Sequence, residues 1–528
     1  MGGRLRWQSA MTEAFLGVDA GTSGIKVCAF TREGRLVAKA HRAVPVVTPY
    51  PLWAEIDLDR YWAATADAIR EVATRVPTIS SIGLATTCPT TILLDEEGQA
   101  IRPGILYLDG RAQAGLEMVV GADAEADVQQ TGNRASTSTC WAANLAWVRE
   151  NEPGAWAKVR RVTMLNGFLA RRLSGQDGIE PTQASYSGLM RIADPEPSWS
   201  RDLLARWGLD AAILPEISGC TDMIGRVTDE ASILTGVPAG IPVALGAADT
   251  AAASFAVGLM DSGEVFESVG TSGVITFCLD RPDFEPSFLH RHHIVPGRWL
   301  AHGAMSTLGG AFGWLNNKVW PELKTLAELE RLAQESVPGA NGLLFLPYLA
   351  GERSPIWDAE ASGSWLGLLL RHSRQDMVRA VFEGTTFGLR QILERGSAKW
   401  GKRPERMLSV GGGARNKFWG QMKADVLKLD YIMSDMPDAA ALGAGLLGAI
   451  AAGLFTGSDD RELPLISANA TAIRPGSQRT IETYNRMFTI FDAAYPQLCD
   501  LMHALADRSS GPYADEEARP RLGVRATG

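Results

Sequence analysis

The tetrapeptide Gly-Thr-Ser-Gly occurs twice, as Gly21-Thr22-Ser23-Gly24 and as Gly270-Thr271-Ser272-Gly273, each time between two short apolar runs. The first copy is framed by Phe15-Leu16-Gly17-Val18-Asp19 and Ile25-Lys26-Val27-Cys28-Ala29-Phe30, the second by Val265-Phe266-Glu267-Ser268-Val269 and Val274-Ile275-Thr276-Phe277. Apolar run, Gly/Thr/Ser turn, apolar run predicts a β-hairpin. Backbone N–H groups in such a turn converge into an anion-binding nest, and glycine lets a phosphate approach where a Cβ would block it. One copy alone is satisfied by an ordinary hairpin turn. A matched pair, one in each half, points to two nests that clamp a polyphosphate, and so to nucleotide binding.

A chain of 528 residues is too long for one core, and about 150 residues per domain suggests two or three large units. Its composition, 46% hydrophobic and 21% charged, is that of a globular protein, and no apolar run approaches the length of a membrane span. A soluble protein without membrane contact is expected. The net charge of −9 and the lack of a Lys/Arg stripe argue against a nucleic-acid partner. A small anionic ligand would then be met locally, by backbone nests and a metal. The six cysteines, Cys28, Cys88, Cys140, Cys220, Cys278 and Cys499, form no Cys-x-x-Cys pair, which reads as a reduced, cytoplasmic chain. The first thirteen residues lack the apolar core of a signal peptide, and Met11 lies just before the first strand, so Met1 and Met11 both stand as candidate starts. Residues 508–528 carry charge, Gly and Pro without apolar periodicity and are expected to form a mobile tail.

Along the chain, residues 15–41 predict a three-stranded antiparallel meander. A helix follows over 59–76, then strands over 82–87 and 91–95, with helices filling much of 115–173. A boundary is expected near Gly240-Ile241-Pro242, before the strand 243–245 and an alanine-rich helix. A second meander then carries the second Gly-Thr-Ser-Gly. Helices are predicted over 378–394, 417–427 and 438–452, a strand over 407–410, and a last amphipathic helix over 481–506.

No Gly-x-x-x-x-Gly-Lys-Ser/Thr sequence is present, which excludes a P-loop kinase. Gly443-Ala-Gly445-Leu-Leu-Gly448 matches Gly-x-Gly-x-x-Gly but falls inside a helical pattern, and reads as close helix packing. His290, His292 and His293 read as ordinary strand histidines in preference to a metal site, with no Cys or carboxylate partner in view. Asp19 closes the first strand before the first nest, where a carboxylate either holds Mg²⁺ through water or makes an Asx turn. Asp249 stands at the start of a helix, as a plain N-cap or as a general base that takes a hydroxyl proton. Local sequence leaves both pairs of alternatives open.

Asp19-Ala-Gly-Thr-Ser-Gly-Ile-Lys26, Gly246-Ala-Ala-Asp249-Thr250 and Gly411-Gly-Gly-Ala-Arg-Asn416 together resemble the FGGY carbohydrate kinases. So does Gly363-Ser-Trp-Leu-Gly367-Leu followed by Asp376-Met-Val-Arg-Ala380-Val-Phe-Glu383, which fits the family's C-terminal signature. Trp53-Ala-Glu55, Asp109-Gly110-Arg111 and the stretch from Leu346 to Pro355 are similar to xylulokinase-like members. The resemblance runs from about Phe15 to Tyr495. It implies an α/β, actin-like fold of two ribonuclease-H-like domains with the active site between them. Residues 14–245 would hold most of the sugar pocket, and 246–475 most of the nucleotide site. A helix over 476–506 would pack back on the first domain, with 1–13 and 507–528 as tails.

The same resemblance implies Mg²⁺ and ATP as cofactors, with Asp249 as catalytic base and Asp19 as the magnesium-associated carboxylate, acting through water. Thr22, Ser23, Gly270 and Thr271 would meet phosphates. Gly309 would lie near the nucleotide, and Gly412, Gly413 and Asn416 would contact adenosine. Lys26 is either a phosphate-neutralising cation or an exposed strand lysine. Thr87, Cys88, Pro89, Asp109, Asp249 and Thr250 would form the sugar pocket. Xylulokinases typically carry Gly-Gln-Met-His-Gly on the sugar-facing loop, where this chain has Thr86-Thr87-Cys88-Pro89-Thr90. Loss of a hydrogen-bonding histidine changes which hydroxyls are satisfied, and so the preferred sugar. Thr250, Leu108 and Asn144 are further departures from xylulokinases or from many members of the family. The expected reaction is phosphorylation of a terminal hydroxyl of a ketopentose, D-xylulose or a close relative. Alternatives are a kinase for ribulose, another ketose or a sugar alcohol, and, in another class, an actin-like nucleotide-dependent binding or sugar-sensing protein. A homodimer is a family-level expectation.

Overall fold

The computed structural model describes residues 13–506 apart from 77, 121–123, 435, 437 and 467–470. The candidate start residues Met1 and Met11 and the tail from 507 onward lie outside the described residues, whereas Glu13 already opens the first strand.

The first sheet grows from the first hairpin. Strands Glu13–Ala20, Gly24–Thr31 and Leu36–Ala43 form the expected antiparallel meander. Thr78–Thr86 runs parallel to the first of them, followed by Pro242–Ala244 and Met223–Arg226. Phe15, Leu16, Val18 and Ala20 are all fully buried or nearly so, which fits a central strand covered on both faces. The second sheet repeats the plan. Val265–Val269 pairs antiparallel with Gly273–Leu279 and parallel with Arg406–Gly411. Trp299–Met305 and Leu289–His292 extend one side, Asp430–Met433 and Thr471–Ile473 the other. In each sheet the Gly-Thr-Ser-Gly turn follows a strand whose neighbour on one side is antiparallel and on the other parallel. Ligands of α/β sheets gather at the carboxyl ends of strands at such switch points.

A smaller sheet joins Thr90–Leu94 to Gly104–Leu106, Arg161–Thr163 and Glu55–Ile56. Thr87, Cys88 and Pro89 therefore bridge two sheets, leaving the large one at Thr86 and entering the small one at Thr90.

Helix boundaries follow their caps. Asp57 accepts from the Arg60 amide at 3.0 Å and starts the helix Leu58–Ala73. Ser373 and Asp376 form a reciprocal capping box, and Gly401 ends the helix in the left-handed conformation. These caps explain why that helix spans Arg374–Trp400, well beyond the apolar stretch that predicts it.

Two expectations about domain organisation are corrected. The first sheet does not end at residue 245, because Ala247 and Ala248 pair with Ala85 and Thr86. Among the described residues, the last helix, Gln478–Ala506, packs on the second unit instead of the first. Its buried face is Tyr484, Met487, Phe491, Ala494 and Met502. It meets partners of the second unit: Tyr484 takes a bond from Arg379 at 2.9 Å, Gln391 bonds Asp492 at 2.9 Å, and Phe491 packs beside Phe387. Those apolar residues match an apolar surface made by the long helix Arg374–Trp400, not one on the first sheet.

The element that returns to the first sheet is the small-residue helix Ala439–Ala451. A Cβ on Gly17 would lie 1.7 Å from the Ala441 carbonyl oxygen, and one on Gly83 would lie 1.8 Å from that of Ala444. On the helix side, a Cβ on Gly443 would meet the Ala252 oxygen at 2.0 Å. Strands and helix thus touch backbone to backbone, as the packing reading of Gly443-Ala-Gly445-Leu-Leu-Gly448 expects. This contact carries Asp438, which immediately precedes the helix, to the first hairpin.

Candidate active site

Asp19 and Lys26 face each other across the first hairpin, with Lys26 Nζ 3.4 Å from Asp19 Oδ2. The same ammonium lies 3.2 Å from Asp438, which also holds Lys39 at 2.9 Å. Burial raises the Asp19 pKa, Lys26 lowers it, and the nearby Asp249 and Asp438 charges raise it further, leaving it at about 6. Burial works to lower the Lys26 pKa, yet Asp19 and Asp438 hold it above the ordinary lysine value. Asp19 and Asp438 share this lysine, and Asp249 adds a third carboxylate charge near Asp19; a divalent cation would relieve that repulsion.

Asp249 is the first residue of the helix Asp249–Ala256, with Ala248 as its N-cap, one residue earlier than the sequence reading placed the start. Its Oδ1 accepts from the Thr250 amide at 2.6 Å and from the Thr250 hydroxyl at 3.0 Å, while Oδ2 takes no bond from a described residue. Thr250 therefore orients the carboxylate and leaves one oxygen for a proton. The Ala248 amide donates to Thr182 Oγ1 at 2.8 Å, which ties this corner to the turn after Glu180.

Thr22 Oγ1 lies 3.2 Å from the hydroxyl of Thr87, so the first nest touches the loop that carries Cys88 and Pro89. The Gly21 carbonyl accepts from the buried Tyr61 hydroxyl at 2.7 Å, which braces the turn beside Ser23. In the second nest, the Gly309 and Gly310 amides donate to the carbonyls of Gly270 and Thr271 at 3.1 and 2.9 Å. A Cβ on Gly309 would sit 2.4 Å from the Gly270 oxygen, so only glycine permits this approach. Gly270, Thr271, Gly309, Gly412 and Gly413 line one cleft of about 320 Å³, floored by Phe312 and Trp419. Asn416 is not among the lining residues of this cleft; its Oδ1 caps the helix Lys417–Leu427 through the Trp419 amide at 2.9 Å and its Nδ2 bonds Glu330 at 2.9 Å.

On the opposite side of Asp249, burial pushes the Cys88 thiol up, so it stays protonated. Its sulfur contacts the Gln183 carbonyl at 3.8 Å, and Gln183 in turn bonds Thr86 at 2.5 Å. Asp109 is fully buried and already engaged: it accepts from the Ala54 amide at 2.6 Å and from Arg111 at 2.7 and 2.8 Å. Arg111 stacks 3.6 Å above the Trp53 ring, so Asp109 positions the Trp53 segment. His290 and His293 bond the Gly132 and Leu259 carbonyls at 2.7 and 2.6 Å, and burial lowers the pKa of His290, His292 and His293 to about 4.

Four residues at the site escape sequence reading. Asp438 is one, with only a helix start to mark it. Tyr61 and Tyr186 sit among helix and turn residues that carry no local sign. Arg291 stacks 4.0 Å over the Tyr186 ring, with its buried Nε and Nη1 unpartnered among the described residues. Burial works to lower its pKa, yet the Tyr186 contact and the Asp249 carboxylate leave it above the ordinary arginine value.

Two hairpin-centred sheets with paired glycine turns, a small-residue helix between them and a carboxylate at the first turn define an actin-like carbohydrate kinase fold. Residues 14–256 match the N-terminal domain, and 266–452 the C-terminal domain, of the FGGY family of carbohydrate kinases. The chain belongs to the FGGY family and is a xylulokinase-like carbohydrate kinase. It is 30% identical over 451 residues to the xylulose kinase of Escherichia coli (strain K12), covering 83% of this chain and 90% of that protein. It is 25% identical over 461 residues to the gluconokinase of Bacillus subtilis (strain 168), covering 85% and 90%. The crystal structure of xylulose kinase from Rhodospirillum rubrum superposes with a TM-score of 0.83 at 29% identity, covering 93% of this chain and all of that one (100%).

Proposed function

We propose that the chain transfers the γ-phosphoryl group of Mg·ATP to a terminal hydroxyl of an open-chain ketose, a ketopentose of the D-xylulose type. The observation that carries this reading is the Asp249 carboxylate. Thr250 fixes one of its oxygens, the other takes no bond from a described residue, and its charge bears on Asp19 beside the first nest. Phosphoryl transfer asks a protein mainly to position groups and neutralise charge. Thr22, Ser23, Gly270 and Thr271 would hold phosphates, and Gly412, Gly413 and Asn416 would border the adenosine. Asp19 would hold Mg²⁺ through water, the ion supplying charge neutralisation, while Asp249 takes the hydroxyl proton. Closure of the two units excludes water that would otherwise hydrolyse ATP. The setting is the cytoplasm, where ATP and free thiols are both maintained.

The loop Thr87, Cys88, Pro89 borders the acceptor and leaves the exact sugar to experiment. The gluconokinase relative and the charge of Arg291 near Cys88 and Asp249 favour one second reading, an aldonic acid acceptor. Coupled ADP release across pentuloses, hexuloses, pentitols, glycerol and aldonates tests both. Turnover highest with D-xylulose supports the ketopentose reading, preference for an aldonate moves the acceptor, and no acceptor-dependent turnover would sink the kinase assignment.

A further inference from the structure

Far from the nucleotide cleft, the last helix presents Cys499 and His503 one turn apart, so both side chains lie on one face. Asp358 comes up to them from a loop pinned by the paired backbone bonds between Glu352 and Asp358, 2.8 and 2.9 Å. Cys499 Sγ is 3.6 Å from His503 Nε2, and that nitrogen is 2.9 Å from Asp358 Oδ2. The three ligand atoms all lie within 4.8 Å of one another. The Tyr495 hydroxyl closes the group, 3.5 Å from the sulfur and 2.7 Å from Asp358 Oδ2.

We propose that Cys499, His503 and Asp358 form a binding site for one transition-metal ion of the zinc class, distinct from the magnesium of the phosphoryl-transfer site. Thiolate, imidazole and carboxylate are a donor set that suits zinc and does not suit magnesium. With Zn–S of about 2.3 Å and Zn–N and Zn–O of about 2.0–2.2 Å, a tetrahedral ion spaces S and N by about 3.5 Å and N and O by about 3.4 Å. The sulfur-to-nitrogen spacing already fits, and the nitrogen-to-oxygen contact opens by about half an ångström when the ion replaces the proton between them. The other ring nitrogen of His503 lies 3.8 Å from a Glu360 carboxylate oxygen, beyond hydrogen-bond reach but close enough for its negative charge to favour a bound cation. An Asp358–His503 ion pair alone leaves the convergence of Cys499 and Tyr495 on the same point without a role. His503 is half exposed, so solvent reaches the site and a water can complete the coordination. Bound there, the ion clamps the end of the last helix to the loop that carries Asp358. Binding releases the thiol proton and any proton on His503, so affinity rises with pH.

The test is a Co(II) titration of the chelator-treated full chain at mildly alkaline pH, followed by displacement with Zn(II). The expected result is one Co(II) per chain with thiolate-to-cobalt charge-transfer absorption that Zn(II) abolishes. That absorption disappears in Cys499→Ser, and apparent affinity falls at least about tenfold in His503→Gln. Circular dichroism of both variants checks that the fold is retained, and the wild-type titration stands without them. Absence of charge-transfer absorption in the wild type, or its persistence in Cys499→Ser, overturns the proposal.

Discussion

Lys26 in the first hairpin lies 3.2 Å from Asp438, the residue just before the helix Ala439–Ala451 in the second half of the chain. That contact joins the first nest to the small-residue helix and sets Asp19, Lys26 and Asp438 in one row. Replacing Lys26 with Met removes the ammonium shared by the two carboxylates. The fold survives, because Lys39 still holds Asp438 at 2.9 Å. We expect kcat/KM for ATP to fall by about a hundredfold with an unchanged circular dichroism spectrum, since charge-assisted contacts at such sites contribute several kcal/mol.

Asp19 makes the pH dependence specific. Its pKa is raised, so the folded chain holds this proton more tightly than the unfolded chain does. The carboxylate is neutral below about 6 and ionised above. Affinity for Mg·nucleotide therefore drops as pH falls through about 6 and recovers above it, which isothermal titration across that range measures directly. Lys26→Met should move this limb upward.

The same shift makes ionised Asp19 a stability cost. The cost is absent below the unfolded carboxylate range near 3.8 and present in full above about 6. Asp19→Asn should therefore raise the melting temperature of the ligand-free protein at neutral pH, by the equivalent of about 2–3 kcal/mol at most, and should not raise it in strong acid. Scanning calorimetry at two pH values checks the sign, and a melting temperature that falls at neutral pH would contradict it.

Backbone contact between Gly443 and Ala252 predicts an unusually costly methyl group. Gly443→Ala places a Cβ 2.0 Å from a backbone oxygen, where no side-chain rotation relieves it. A loss of about 3 kcal/mol or more is expected, together with weakened nucleotide binding as Asp438 is displaced. Denaturant unfolding of this variant beside Gly457→Ala, whose Cβ meets nothing closer than an Asp459 oxygen at 3.2 Å, separates the clash from any general effect of losing glycine.

In the second sheet, fully buried Glu267 accepts from Lys423 at 2.6 Å, Tyr431 at 2.5 Å and Ser409 at 3.0 Å, just before the second nest. Lys423→Met leaves that charge uncompensated and should cost about 3–5 kcal/mol. Adding Glu267→Gln should recover most of the loss. A double-mutant cycle by urea unfolding measures the coupling.

Much of this architecture is legible in the sequence because it is written locally. Glycine turns between apolar runs mark both hairpins, and the helix Lys417–Leu427 matches its predicted bounds because Asn416 caps it and an apolar stripe fills it. What is set by packing between distant segments is not legible. The last helix has an apolar face, but periodicity does not say which surface receives it, and the second unit does. Likewise Asp438 reads only as the start of a helix until contacts at Gly17 and Gly83 bring that helix onto the first sheet. Arg291 and Tyr186 meet across segments that no local pattern relates. Asp109 reads as a pocket residue, yet the structure engages both its oxygens with Ala54 and Arg111.

Asp249 is the residue on which the kinase account turns, and the most direct measurement is ADP release by Asp249→Ala with Mg·ATP and the best acceptor, alongside nucleotide affinity. The account predicts turnover lowered by at least about a thousandfold with nucleotide affinity within a few-fold of the parent chain. Near-normal turnover in that variant would contradict it.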